Sequence, residues 1–139
     1  MLVCDTGPLV AAAIRSDDDY HACTQLFTGL HLAGRAIFVP GPVIAEVGYL
    51  LGRTGGPKIE AAFLRLCADG TLNPVDLQSN DFARMAVLVE TYADFPLGTT
   101  DAAVIAVAER LDVTEIATLD HRHFRAVRPA HAATFTLLR

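Results

Sequence analysis

LVCDTGPLVAA, residues 2–12, decides how the chain folds. Leu2, Val3 and Cys4 form a short apolar run of strand type, Asp5 interrupts it, and Pro8 sits where the first turn of a helix accepts proline. A strand running straight into a helix is the unit of an α/β sheet, and such sheets bind ligands outside the carboxyl ends of their strands. The unit recurs. AIFV (36–39), TLNPV (71–75), EIAT (115–118) and TFTLL (134–138) read as further buried strands. Helical periodicity covers Pro8 to Arg15, Asp18 to Ala33, Pro42 to Arg53, Pro57 to Asp69, Ser79 to Tyr92 and Thr100 to Leu111. Pro42 and Pro57 suit first turns, Gly34, Gly52 and Gly70 suit helix ends, and Gly52 to Pro57 reads as a connecting loop. The expected architecture is α/β: a central, mostly parallel five-stranded sheet between helical layers, with residues 1–139 forming a single domain.

At 139 residues the chain can bury a core without disulfides or structural metal. Apolar residues make up 52% and charged residues 19%, which leaves apolar surface for a dimer contact or a bound partner to cover. Cys4, Cys23 and Cys67 have neither paired nor metal-ligand spacing and read as buried thiols of a reducing cytosol. The opening apolar stretch is broken by Asp5 and lacks preceding basic residues, so neither a signal peptide nor a membrane anchor is expected. A net charge of −5 argues against nucleic-acid binding by general attraction. Cations bound to a carboxylate cluster would reverse the local field.

Four acids stand at informative places, and each also has an ordinary explanation. Asp5 follows the first strand and could cap the next helix, although Thr6 could do so and leave Asp5 free. Glu46 lies beside the apolar stripe Val43, Ile44, Val47, Leu50 and Leu51, where it could simply reach water. Asp101 opens a helix of Ala, Val and Ile, a position the helix dipole favours, with Thr99 or Thr100 as the cap. Asp120 ends EIATL and starts what reads as the turn DHRHF. Should the four converge, their mutual repulsion requires protons or cations. Hard oxygen ligands favour magnesium or manganese, and phosphodiester hydrolysis is the chemistry that such a centre serves.

LVCDTGPLVAA, PGPVIAEVGYLL, LGTTDAAVIAVAERL and IATLDHRHF together resemble, in order and spacing, the four motifs of the PIN-domain family, specifically the VapC-type toxins of bacterial toxin–antitoxin pairs. The resemblance spans nearly the whole chain. It implies a cytoplasmic endoribonuclease dependent on magnesium or manganese and held in check by a VapB-like antitoxin; the apolar surplus fits both an antitoxin helix groove and a homodimer face, and both contacts are expected. Asp5, Asp101 and Asp120 map onto the main metal-binding carboxylates, and Glu46 onto one that ligates the metal or orients water at it. Thr6 and Thr100 look like hydroxyls that steady Asp5 and Asp101. Many relatives carry a further acid near the fourth position, where this chain has His121, Arg122 and His123, so Arg122 is a candidate for an RNA phosphate.

His121 and His123, two apart in a turn, are expected to point different ways and to lack a third zinc ligand. Cys4, between Val3 and Asp5, reads as a small buried hydrophobe. Arg15, Arg53, Lys58 and Arg125 are further cations that could meet RNA, though solvation is the usual role of such residues. The rival readings are a PIN-like binding module without chemistry and a housekeeping RNA-processing or DNA-flap nuclease. Retention of all four acids weighs against the first, and a short chain without a helical arch against the second.

Overall fold

The computed structural model describes residues 1–139. Five strands, β1 (Leu2–Cys4), β2 (Ile37–Pro40), β3 (Asn73–Val75), β4 (Glu115–Ala117) and β5 (Thr136–Leu138), form one sheet in the order β3-β2-β1-β4-β5. Every pairing is parallel, so the sheet is wholly rather than mostly parallel. Central parallel strands are covered on both faces, which is why β1 is apolar at consecutive positions: Leu2, Val3 and Cys4 have no solvent exposure. Sheet growth runs from β1 through β2 to β3, then jumps back so that β4 pairs with the free side of β1. That reversal puts helices on both faces and opens a crevice between the carboxyl ends of β1 and β4.

Seven helices flank the sheet: α1 (Thr6–Ala13), α2 (Tyr20–Leu32), α3 (Gly41–Gly55), α4 (Pro57–Ala68), α5 (Ser79–Thr91), α6 (Thr99–Arg110) and α7 (His121–Ala126). Alanine-rich α6 buries every residue from Ala102 to Ala108, and its small side chains let it pack against β1, β2, α3 and α5. A helix apolar all round belongs in a core.

Five local expectations need correction. Gly52 does not end α3, which continues a full turn to Gly55 before Gly56 turns the chain with φ 85°. A Cβ on Gly52 would lie 2.6 Å from Glu60 Oε1, so this glycine admits the close approach of α3 and α4. The stretch from Gly52 to Pro57 is therefore almost entirely helical. DHRHF is not an open turn: Asp120 is the N-cap of α7 and accepts the His123 backbone N–H at 3.2 Å. Asp5, not Thr6, occupies the N-cap position of α1, without a side-chain capping bond. Gly98, not Thr99 or Thr100, occupies that of α6.

Candidate metal centre

The crevice at the strand reversal is a cleft of about 560 Å³ lined by Asp5, Glu46, Asp101 and Asp120, with Thr6, Thr100, Asp17 and Asp19 around them. Asp5 emerges from β1, Glu46 from α3, Asp101 from the first turn of α6, and Asp120 from the junction of β4 and α7. The four acids nominated from sequence thus share one concavity. Asp17 and Asp19 were not nominated. The acidic run Asp17-Asp18-Asp19 between α1 and α2 was the signal for them, and the Asp19 backbone N–H donates to Asp17 Oδ1 at 2.9 Å, folding the run over the cleft.

Asp5 is the most buried of the four, at 6% exposure. Burial raises its pKa from 3.8 to about 6; the Thr6 backbone N–H and the Thr118 hydroxyl oppose the rise, and the Asp101 and Glu46 charges add to it. Asp101 also lies above its ordinary value, through burial first and then the neighbouring Asp120, with His123 and the Gly98 backbone opposing. These carboxylates carry more negative charge than their surroundings balance.

The expected steadying hydroxyls are not those nominated. Thr6 Oγ1 is buried without a hydrogen-bond partner, and Asp5 is held instead by Thr118, whose hydroxyl donates to Asp5 Oδ2 at 2.9 Å. Thr100 lines the cleft, and Asp101 receives no hydrogen bond from it. The two histidines do diverge, with His121 Nε2 at 3.2 Å from the Thr118 carbonyl. His123, however, joins the acids: its Nδ1 lies 2.6 Å from Asp120 Oδ2 and 3.3 Å from Asp101 Oδ2. Ligand atoms of Asp101, Asp120 and His123 all fall within 4.8 Å of one another. The expectation that no third ligand stands near His123 is therefore corrected.

His123 Nδ1 is inaccessible to solvent and, despite the short distances, aligned for a hydrogen bond with neither carboxylate. An unpaired buried nitrogen facing two carboxylates, beside a third that burial holds at about 6, fits a site built for a divalent cation. Asp101, Asp120 and His123 would hold it most closely, with Asp5 and Glu46 at the same cleft. Cys4 takes no part: burial, with Asp5 and Cys23 adding, pushes its thiol well above its ordinary value.

Comparison with known proteins places the chain in a family. The PIN domain family profile covers residues 2–129. The chain belongs to the PIN domain family. It is 31% identical over 137 residues, 99% of each chain, to a protein of Mycobacterium tuberculosis named Ribonuclease VapC26. Two solved structures share the fold at 14% identity. One is VapC20 of Mycobacterium tuberculosis, described as a Sarcin-Ricin loop cleaving toxin, with TM-score 0.74 over 84% of this chain and 87% of that one. The other is VapBC2 of Rickettsia felis bound to a promoter DNA fragment, with TM-score 0.70 over 99% and 98%. The expected VapC-type PIN fold is thereby borne out.

The most apolar concavity lies elsewhere, between α1, α2 and α4. It measures about 540 Å³ and is lined by Leu9, Ala12, Phe27, Ile59, Ala62 and Phe63, with His31, Arg35 and Lys58 also present. Tyr49 of α3 and Phe82, Val87 and Val89 of α5 form further exposed apolar surface. No helix is long and apolar enough to cross a membrane.

Proposed function

We propose that this chain, a single PIN domain over residues 1–139, is the toxin of a toxin–antitoxin pair and acts in the cytoplasm as an endoribonuclease dependent on magnesium or manganese. The observation that carries the reading is the convergence of Asp5, Glu46, Asp101 and Asp120, from four separate elements, on the cleft where the sheet reverses. The kinship with Ribonuclease VapC26 supports RNA as the substrate. A divalent ion held there would supply Lewis-acid activation of water and charge stabilisation at an RNA phosphodiester. This chain's own contribution is positional. Thr118 fixes Asp5, the α6 first turn presents Asp101, and Glu46 is exposed enough to accept a hydrogen bond from water in the cleft. Exposed Arg122, two residues beyond Asp120, is the candidate contact for an RNA phosphate.

Apolar surface accounts for the partners. The groove between α1, α2 and α4 suits the apolar face of a VapB-like antitoxin helix, and a basic side chain from the antitoxin reaching the acids would compete with metal. The α5 face around Phe82 and Val89 suits a homodimer contact.

The test is cleavage of a mixed RNA pool by the antitoxin-free protein with magnesium, manganese or chelator, beside Asp5→Asn and Asp101→Asn. Metal-dependent cuts that vanish in both variants are expected. A folded protein that cuts nothing with either metal is instead a PIN-like binding module.

A further inference from the structure

His123 is the functional group that a four-carboxylate site leaves over. Its Nε2 lies 3.2 Å from the Phe95 carbonyl oxygen, and a carbonyl only accepts, so Nε2 carries the proton. In the neutral ring the lone pair then sits on Nδ1, the atom at 2.6 Å from Asp120 Oδ2 and 3.3 Å from Asp101 Oδ2. Three acceptors so placed repel one another unless a cation, either a metal ion or a proton on Nδ1, lies among them. The ring is also held in place: Phe95 packs perpendicular to it at 89°, and Asp120 Oδ1 accepts the His123 backbone N–H. A backbone carbonyl that fixes the tautomer while the other nitrogen faces the centre is the usual support for a metal-binding imidazole.

We propose that His123 Nδ1 is a nitrogen ligand of the metal centre formed with Asp101 and Asp120, and that it biases this centre toward manganese over magnesium. The inference rests on the metal-dependent reading given above and adds a ligand and a selectivity to it. Magnesium prefers an all-oxygen shell near ideal octahedral geometry, whereas an imidazole nitrogen is better matched to transition ions. His121, with its Nε2 directed at the Thr118 carbonyl, supplies the internal control.

Electron paramagnetic resonance of manganese added to the metal-free full-length protein tests this through the ion itself. Wild type and His121→Gln are expected to show bound manganese with directly coordinated imidazole nitrogen in the pulsed spectrum. His123→Gln and His123→Asn are expected to lose that nitrogen coupling and to bind manganese about tenfold more weakly or worse, with a smaller change for competing magnesium. Bound manganese without nitrogen coupling in wild type would overturn the inference alone, leaving His123 as an imidazolium that bridges the two acids. Wild type that binds no manganese would overturn the metal-dependent reading as well.

Discussion

Thr118 Oγ1 donates to Asp5 Oδ2 at 2.9 Å and itself accepts the Asp120 backbone N–H at 2.9 Å. One fully buried side chain therefore couples the acid after β1 to the acid after β4. Valine has nearly the same shape but neither donates nor accepts. Thr118→Val should keep the fold by circular dichroism and lower RNA cleavage by about 10- to 100-fold, the usual cost of removing an outer partner of a metal ligand. Thr118→Ser should restore most of the activity. Equal loss in both variants would trace the effect to packing rather than to the hydroxyl.

Burial of Asp5 gives metal-free stability a defined pH dependence. The folded-state pKa of about 6 lies above the ordinary 3.8, so between these values the folded chain holds a proton that the unfolded chain has released. Stability from this group is complete below about pH 4, declines as pH rises, and is lost above about pH 6, a difference of about 3 kcal/mol. Urea unfolding of metal-free wild type and Asp5→Asn across this range should show the variant gaining on wild type as pH rises. Manganese should reverse the order at pH 7.5, since it compensates the carboxylate that asparagine lacks. Parallel curves for the two proteins would mean that Asp5 does not titrate in this window.

Much of the architecture could be read from the chain because the governing forces are local. Parallel strands buried on both faces need consecutive apolar residues, as Leu2 to Cys4 provide, and acids where such strands end are conspicuous against them. The unforeseen features depend on tertiary packing. Thr118 looks like strand filler until β4 docks beside β1 and brings its hydroxyl to Asp5. His123 is set by the full burial of Phe124 beside it and by the perpendicular packing of Phe95 against the imidazole, and neither contact leaves a periodic signal in so short a helix. What Gly52 serves inside α3, room for the Glu60 carboxylate across the helix pair, is likewise a tertiary contact that the local sequence does not show.

Away from the cleft, Asp81 is 3% exposed and ion-paired to Arg110 at 3.0 Å, while its carboxylate also accepts the Gln78 backbone N–H at the start of α5. Removing it leaves the Arg110 guanidinium, at the end of α6, with only the Asp76 carbonyl as partner and opens the capping box at the start of α5. Asp81→Ala should cost about 3 kcal/mol in urea unfolding, near the lower end for a broken buried pair. Cleavage per folded molecule should be unchanged at low temperature. A loss below about 1 kcal/mol would mean that water replaces the pair without penalty.

Arg122 is exposed and stands two residues beyond Asp120, within the short helix that follows the fourth acid. Arg122→Ala should raise KM severalfold while kcat stays within about twofold, and should reduce the salt dependence of binding by about one phosphate contact. A fall in kcat at constant KM would instead give the guanidinium a role at the reacting phosphate.

Gly7 offers a test of how finely the cleft is set. A Cβ there would meet Leu119 Cβ at 3.2 Å and its Cγ and Cδ1 at 3.3 Å, and Leu119 joins Thr118 to Asp120. Because the nearest atom is bound directly to the backbone, relief requires the segment from Thr118 to Asp120 to move by a few tenths of an ångström. Alanine in a helix is favoured over glycine by about 1 kcal/mol, which opposes the crowding, so Gly7→Ala should change unfolding free energy by less than about 1 kcal/mol. Activity should respond more. If a misplacement of about 1 Å can cost about a hundredfold, a shift of a few tenths should lower turnover severalfold. Stability and turnover measured on the same preparation separate the two effects, and unchanged turnover would show that Leu119 yields without carrying Thr118 and Asp120 with it.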